Sequence, residues 1–284
     1  MGIRIRQPLH QAAISGHSAP TPTSGAWHPG IQNLPLTREA QRSRGHRIPA
    51  RTSSEPEGLD IHSPATAGAV IDHLRFAPVL IVLPPVYALL AAPTGYGVAG
   101  LNRMKKRLPG KNYGTAAGEL SNFWEMVDET SIPSDFEGPN ELESTHDVFF
   151  RCRVSDSRTQ TQAVRNGTHQ TLILSDPYRS LMCEIEAAFR READPALFGG
   201  HSFSAPLITS CNLSGDPLGS ITDKARGHEF IHRRNVGLWV RESGSAHETG
   251  SYPILELEKS GISIQREGGS IRHRELYKRF QKRH

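Results

Sequence analysis

Thr209-Ser210-Cys211-Asn212-Leu213-Ser214-Gly215 is the stretch on which the fold turns. It follows Pro206–Thr209, a short apolar run that reads as a buried strand, so the seven residues stand at a strand's carboxyl end. Open α/β sheets bind their ligands there. The chemistry of the stretch is neutral: hydroxyls and a carboxamide offer donors and acceptors, and Ser214 with Gly215 permits a tight turn. Residue types alone are equally those of an ordinary polar turn.

Outward from this loop, strands and helices alternate. Thr222–Arg234 reads as a helix and Val236–Val240, Tyr252–Leu257 and Ile262–Ile264 as strands. Upstream, Val148–Val154 and Thr171–Leu174 are strand signals, and Ser180–Arg191 is an amphipathic helix with Leu181, Ile185, Ala188 and Phe189 inward. The most apolar run, Ala77–Ala92, reads as a buried strand followed by a turn. It spans only sixteen residues and holds Pro78, Pro84 and Pro85, whereas a membrane span needs about 20 unbroken apolar residues. A short helix precedes it at Ala69–Leu74. Val98, Leu101 and Met104 mark another helix after it, which ends in Lys105, Lys106 and Arg107. From Gly118 to Glu143 the text is polar, a helix and then a long loop. Short, wholly apolar strands between helices predict an α/β domain with a largely buried sheet.

Length and charge bound the rest. A chain of 284 residues makes one large domain or two small ones, with a core that needs no disulfides. Three cysteines, Cys152, Cys183 and Cys211, form neither a disulfide framework nor a four-cysteine zinc site. Residues 1–62 hold seven arginines and no lysine against four acids, a net of +3, and residues 272–284 hold six basic residues against one acid, +5. The chain total of +4 therefore leaves the body at −4. Residues 1–62, rich in Pro, Gly, Ser and Thr, are expected to be disordered. Residues 272–284 are expected to be a basic helix or tail, and the two basic ends are where RNA would bind. The compartment expected is the cytoplasm. The arginine-rich start also fits a mitochondrial transit peptide, although Pro8, Pro20 and Pro22 cut short any amphipathic helix. Oligomeric state is not encoded in any recognisable pattern.

Two basic residues two apart, Lys105 and Arg107, can reach one anion, with arginine supplying a planar fork. Cations in a last helical turn also complement the helix dipole without any ligand. Taken together, Lys105-x-Arg107 and the Thr209, Ser210, Asn212, Ser214 and Gly215 loop resemble the YrdC family of threonylcarbamoyl-AMP synthases. All five fixed positions of that family's Thr-Ser-x-Asn-x-Ser-Gly loop are present. Gly250–Leu255 and Ile264–Gly268 resemble the family's closing strands, so the likeness runs from about residue 65 to 271. It implies one YrdC-like domain over residues 63–271, an open twisted mixed sheet flanked by helices. The family's opening Thr-Asp/Glu-Thr-x-Tyr-Gly corresponds to Leu83-Pro84-Pro85-Val86-Tyr87-Ala88, which lacks the threonine and the acid. Pro93-Thr94-Gly95-Tyr96-Gly97 keeps more letters but leaves too few residues before Lys105 for a separate helix. Leu174-Ser175-Asp176-Pro177 has lost the arginine of the family's Val-Arg-x-Pro.

The resemblance implies a cleft that holds threonine, bicarbonate, Mg and ATP, and a product that feeds tRNA modification. Lys105 and Arg107 would neutralise phosphates. Thr209, Ser210, Asn212 and Ser214 would position the nucleotide or the carbamate, and Arg266 would be a supporting contact. Cys211 reads as a small buried residue. The departures leave a second reading, a degraded module that holds nucleotide or double-stranded RNA without turnover. A third is zinc hydrolysis through His228-Glu229-x-x-His232, the spacing that sets two imidazoles on one helix face. Arg233 and Arg234 beside it would repel a dication.

Overall fold

The computed structural model describes residues 57–134, 136, 138–140, 145–244, 250–269 and 277. In chain order these form β1 (Glu57–Asp60), α1 (Thr66–Leu74), β2 (Val79–Leu83), β3 (Val86–Ala91), α2 (Gly95–Lys105), β4 (Gly114–Ala117) and α3 (Leu120–Trp124). There follow β5 (Val148–Arg153), β6 (Thr168–Ile173), α4 (Tyr178–Phe189), β7 (Leu207–Ser210), α5 (Lys224–Arg234), β8 (Leu238–Arg241), β9 (Ile254–Glu258) and β10 (Gly261–Arg266). The strands make one ten-stranded mixed sheet in the order β1-β8-β2-β3-β7-β4-β6-β5-β9-β10. Its open edges are β1 and β10, and a sheet of this size carries the usual right-handed twist. This is the expected α/β architecture.

The apolar run Ala77–Ala92 is a hairpin of two strands, not a strand and a turn. Pro84 and Pro85 sit at its bend, where neither needs a ladder N–H, and β2 and β3 pair from Val79 opposite Leu90 to Leu83 opposite Val86. Both are buried on nearly every residue, because the two faces of the sheet each carry a core. On one face α1 and α4 cover Ile81, Ala88, Leu90 and Leu172. On the other Leu80, Tyr87 and Leu89 pack with Val98 and Leu101 of α2 and with Phe230 and Ile231 of α5. Period-two alternation along β3 sends Tyr87 and Leu89 to one core and Ala88 and Leu90 to the other.

Two further strands escape sequence reasoning. β4, Gly-Thr-Ala-Ala, has no bulky β-former, yet all four residues are buried between β7 and β6. β1 lies inside the stretch expected to be disordered: it pairs in parallel with β8, Gly58 opposite Trp239 and Leu59 opposite Val240. Ordered structure therefore begins before residue 63, where the domain boundary was expected. Residues 1–56, and the basic end apart from Tyr277, lie outside the described residues. Among those described, no helix is long and apolar enough to cross a membrane.

Candidate functional site

α2 carries Lys105 to the loop. Thr94 caps its N-terminus, Oγ1 accepting from Gly97 N at 3.1 Å, and Gly97 is required there because a Cβ would stand 2.0 Å from the Ala92 carbonyl. The Pro93-Thr94 segment is thus a helix cap, while Tyr87 and Ala88 lie on β3 beside the loop, Ala88 opposite Ser210. At its other end α2 closes on Lys106 in the left-handed region, φ 47°, and Arg234 of α5 donates to the carbonyls of Met104 at 2.7 Å and Arg103 at 2.5 Å.

β7 leaves the sheet at Ser210, and backbone bonds fix the turn that follows. Cys211 N donates to Tyr87 O at 2.7 Å and Ser214 N to Lys105 O at 2.9 Å, while Gly215 takes the positive φ of 84° that the turn needs. Lys105 is 1% exposed. Its Nζ donates to Ser210 O and, at 3.2 Å, to Asn212 Oδ1, and Ser210 Oγ donates to the same Oδ1 at 2.7 Å. Lys105, Ser210 and Asn212 therefore form one cluster, with Ser214 joined through its backbone. Thr209 is one residue back on β7, opposite Leu89.

The ammonium in this cluster touches carbonyl oxygens and, among the described residues, no carboxylate. Burial pushes Lys105 down to about 7, nearby Arg107 presses the same way, and Cys211 opposes weakly. Cys211 is fully buried and its thiol is pushed up by burial, so it fills space. Arg107 lies over the Tyr113 ring, 4.4 Å from its centroid, and donates to Asn112 O. Its Nε is buried without a hydrogen-bond partner, and burial lowers its pKa. Arg107 also lines a cavity of about 710 Å³ between residues 107–112 and 160–166.

Arg266 stands apart. It lies on β10, five strands along the sheet from β7; its guanidinium donates twice to Tyr252 O, at 3.0 and 2.7 Å, and lies 5.9 Å from the Phe149 ring. A supporting contact to the Lys105 cluster is thus not what holds it. The His228-Glu229-x-x-His232 turn lies on α5, with His228 edge-on to Trp239 at 5.9 Å and Glu229 paired to Arg233 at 2.8 Å. No group of three His, Cys, Asp or Glu among the described residues could hold a metal. Sequence reasoning missed Asn112, Tyr113 and the wall 160–166. Asn112 and Tyr113 reach Arg107 from the turn between α2 and β4, and the wall 160–166 joins them through Tyr113 N donating to Gln162 O.

No protein-family model matches the chain, and no curated protein does. Solved structures do. E. coli YciO superposes with a TM-score of 0.52 at 14% identity, covering 76% of this chain and 97% of YciO. P. abyssi Sua5 complexed with L-threonine gives 0.54 at 13%, covering 75% of this chain and 58% of Sua5. T. kodakarensis HypF gives 0.51 at 14%, covering 72% of this chain and 24% of HypF. The likeness at these identities is one of fold: the chain has the YrdC-like fold that its loop implies. Pro85 at the β2–β3 bend and Ser175 after β6 occupy the places where the sequence resemblance expects a threonine or acid and an arginine.

Proposed function

We propose that the chain is an enzyme of the nucleotidyltransferase type that makes threonylcarbamoyl-AMP, with the Lys105 cluster holding the nucleotide. The observation that carries the reading is a buried ammonium that meets Ser210 and Asn212 but no carboxylate. A cation without a counter-ion in a low-dielectric site favours an anionic ligand. In the proposed reaction the amine of threonine combines with bicarbonate to give a carbamate and water. A carbamate oxygen then attacks the α-phosphorus of ATP, the bond to the bridging oxygen of the β-phosphate breaks, and pyrophosphate leaves. Chemistry of this kind needs positioning and charge neutralisation more than a protein nucleophile. Lys105 and Arg107 would neutralise the phosphates and Ser210 and Asn212 would orient the carbamate, with Thr209 and Ser214 shaping the turn.

Mg does not fit as a protein-held ion, since the cluster contains no carboxylate; any Mg would arrive with the nucleotide. Threonine as the amino acid is supported by the fold likeness to Sua5 complexed with L-threonine and by the loop, and tRNA as the destination of the product by the resemblance of the loop. A second reading is favoured by the positions of Pro85 and Ser175, namely a module that binds nucleotide or double-stranded RNA without turnover. Incubation with ATP, threonine, bicarbonate and Mg separates the two. Threonine-dependent pyrophosphate release, abolished by Arg107→Ala, is expected of the enzyme; ATP binding without pyrophosphate would replace it with the module.

A further inference from the structure

Helix α5 follows the loop Thr209–Gly215 in the chain and sends an arginine toward each half of the Lys105 cluster. Arg226 pairs with Asp216, the residue after Gly215, at 3.0 Å, the two side chains being 25% and 21% exposed. It also donates to Gly219 O at 3.5 Å. Eight residues on, Arg234 donates to Met104 O and Arg103 O in the last turn of α2. In a helix that spacing sets the two residues about 12 Å apart along the axis and within about 80° of each other around it. The Arg233-Arg234 pair therefore divides: Arg233 answers Glu229 at the surface, and Arg234 turns to α2.

The helix that carries the two arginines is itself fixed. Asp223 Oδ1 accepts from Arg226 N at 2.9 Å at its start, Asn235 closes its end in the left-handed region at φ 56°, and Phe230 and Ile231 are buried in the core to which Leu101 of α2 belongs. Carbonyls of a last helical turn lack partners four residues on. In α2 those of Arg103 and Met104 receive Arg234, and that of Lys105 receives Ser214 N at 2.9 Å. A guanidinium in this place also complements the negative end of the helix dipole. The Lys105 ammonium depends on both segments at once, because its backbone belongs to α2 while its partners, Ser210 O and Asn212 Oδ1, belong to the loop.

We infer that Arg226 and Arg234 are positioning residues, through which α5 holds the end of α2 and the loop at the separation at which Lys105 Nζ meets Ser210 and Asn212. Both act through the backbone segments they grip, since the bonds of Nζ itself go to the loop. Loss of either grip lets the end of α2 and the loop part, and the ammonium then meets water in place of Asn212. The consequence for nucleotide binding rests on the reading above; the bracing of Lys105 does not.

Brief acetylation of the full chain with acetic anhydride, read residue by residue by mass spectrometry, reports how often Lys105 is released, with exposed Lys106 as the internal reference. Val70→Ala, in α1 on the other core, is the control that lowers global stability without touching either grip. With each variant held equally far below its melting temperature, Lys105 in Arg234→Ala should label at least about tenfold faster than in Val70→Ala, the effect of roughly one charge-assisted hydrogen bond. Arg226→Ala should act in the same direction, and it decides the question if Arg234→Ala does not fold. Arg234→Lys, which keeps the cation but not the planar fork, should recover part of the protection. Equal labelling of Lys105 in the alanine variants and in Val70→Ala would overturn the inference. ATP titration of the same proteins keeps the two readings apart. Binding at least about tenfold weaker in Arg234→Ala is expected. Faster labelling of Lys105 with unchanged ATP affinity, or with no ATP bound by the parent, would keep the bracing and overturn Lys105 as the cation that holds the nucleotide.

Discussion

Replacing Lys105 with methionine should stabilise the protein at neutral pH while removing its ligand. The side chains have similar reach, so the change removes a buried charge without opening a large cavity. Lysine held at about 7 against its usual 10.5 corresponds, at about 1.4 kcal/mol per pH unit, to about 4–5 kcal/mol of folding free energy lost to keeping the ammonium buried. Set against this, Ser210 O loses its partner at about 1–3 kcal/mol, while Asn212 Oδ1 keeps Ser210 Oγ. The balance is a gain of about 1–4 kcal/mol near pH 7, or roughly 2–16 °C in melting temperature. Because the folded pKa is depressed, the unfolded chain binds more protons between about 7 and 10.5. Parent stability therefore rises with pH across that window relative to Lys105→Met, and the gap between the two narrows by about 2–3 kcal/mol from pH 6 to 9. Cys211, whose thiol is raised by burial and lowered in part by Lys105, opposes this above pH 9, so the comparison is read at pH 9 and below. Urea unfolding of both at pH 6, 7, 8 and 9 is the assay. A constant difference across pH, or a variant several kcal/mol weaker at pH 7, would refute the uncompensated ammonium.

Other consequences follow from packing and titration. A chain starting at Ser63 loses β1, with Leu59, Ile61 and the Gly58–Trp239 contact, and should melt at least about 5 °C below a chain starting at Ser53; equal melting would mean that β1 adds nothing. Gly227→Ala places a Cβ 2.5 Å from the Tyr87 ring, so α5 or the ring must shift, at about 1–3 kcal/mol by denaturant unfolding. Burial holds His169 at about 4, so the unfolded chain binds more protons between about 4 and 6.5 and stability rises with pH there. His169→Gln should flatten that limb by up to about 3 kcal/mol, and an unchanged acid limb would mean that the imidazole is not buried neutral.

What the sequence made legible was the part written locally. The loop Thr209–Gly215 names its own turn, β2 and α4 carry strong apolar patterns, and Lys105 lies at a recognisable helix end. β3 was hidden because Pro84 and Pro85 made one apolar run look like a strand and its exit, whereas they bend a hairpin. β4 was hidden because Gly114, Thr115, Ala116 and Ala117 are small, and their burial comes from neighbours far along the chain. β1 lies among breakers and charges, and only its pairing with β8 orders it. Arg266 matched a closing motif yet is engaged by Tyr252 and Phe149, a placement set by sheet order. The cavity wall at 160–166 meets Arg107 across some fifty residues, and no local pattern announces such a meeting.

ATP affinity as a function of pH, measured by calorimetry on the full chain and on Lys105→Met, tests the central claim most directly. An anionic ligand raises the pKa of Lys105 from about 7, so binding by the parent should be strongest below pH 7 and weaken by up to about tenfold per pH unit above it. The variant should bind at least about tenfold more weakly at pH 6.5 and show no such slope. ATP bound equally by both proteins, with the same pH profile, would contradict the assignment of Lys105 as the cation that receives the nucleotide.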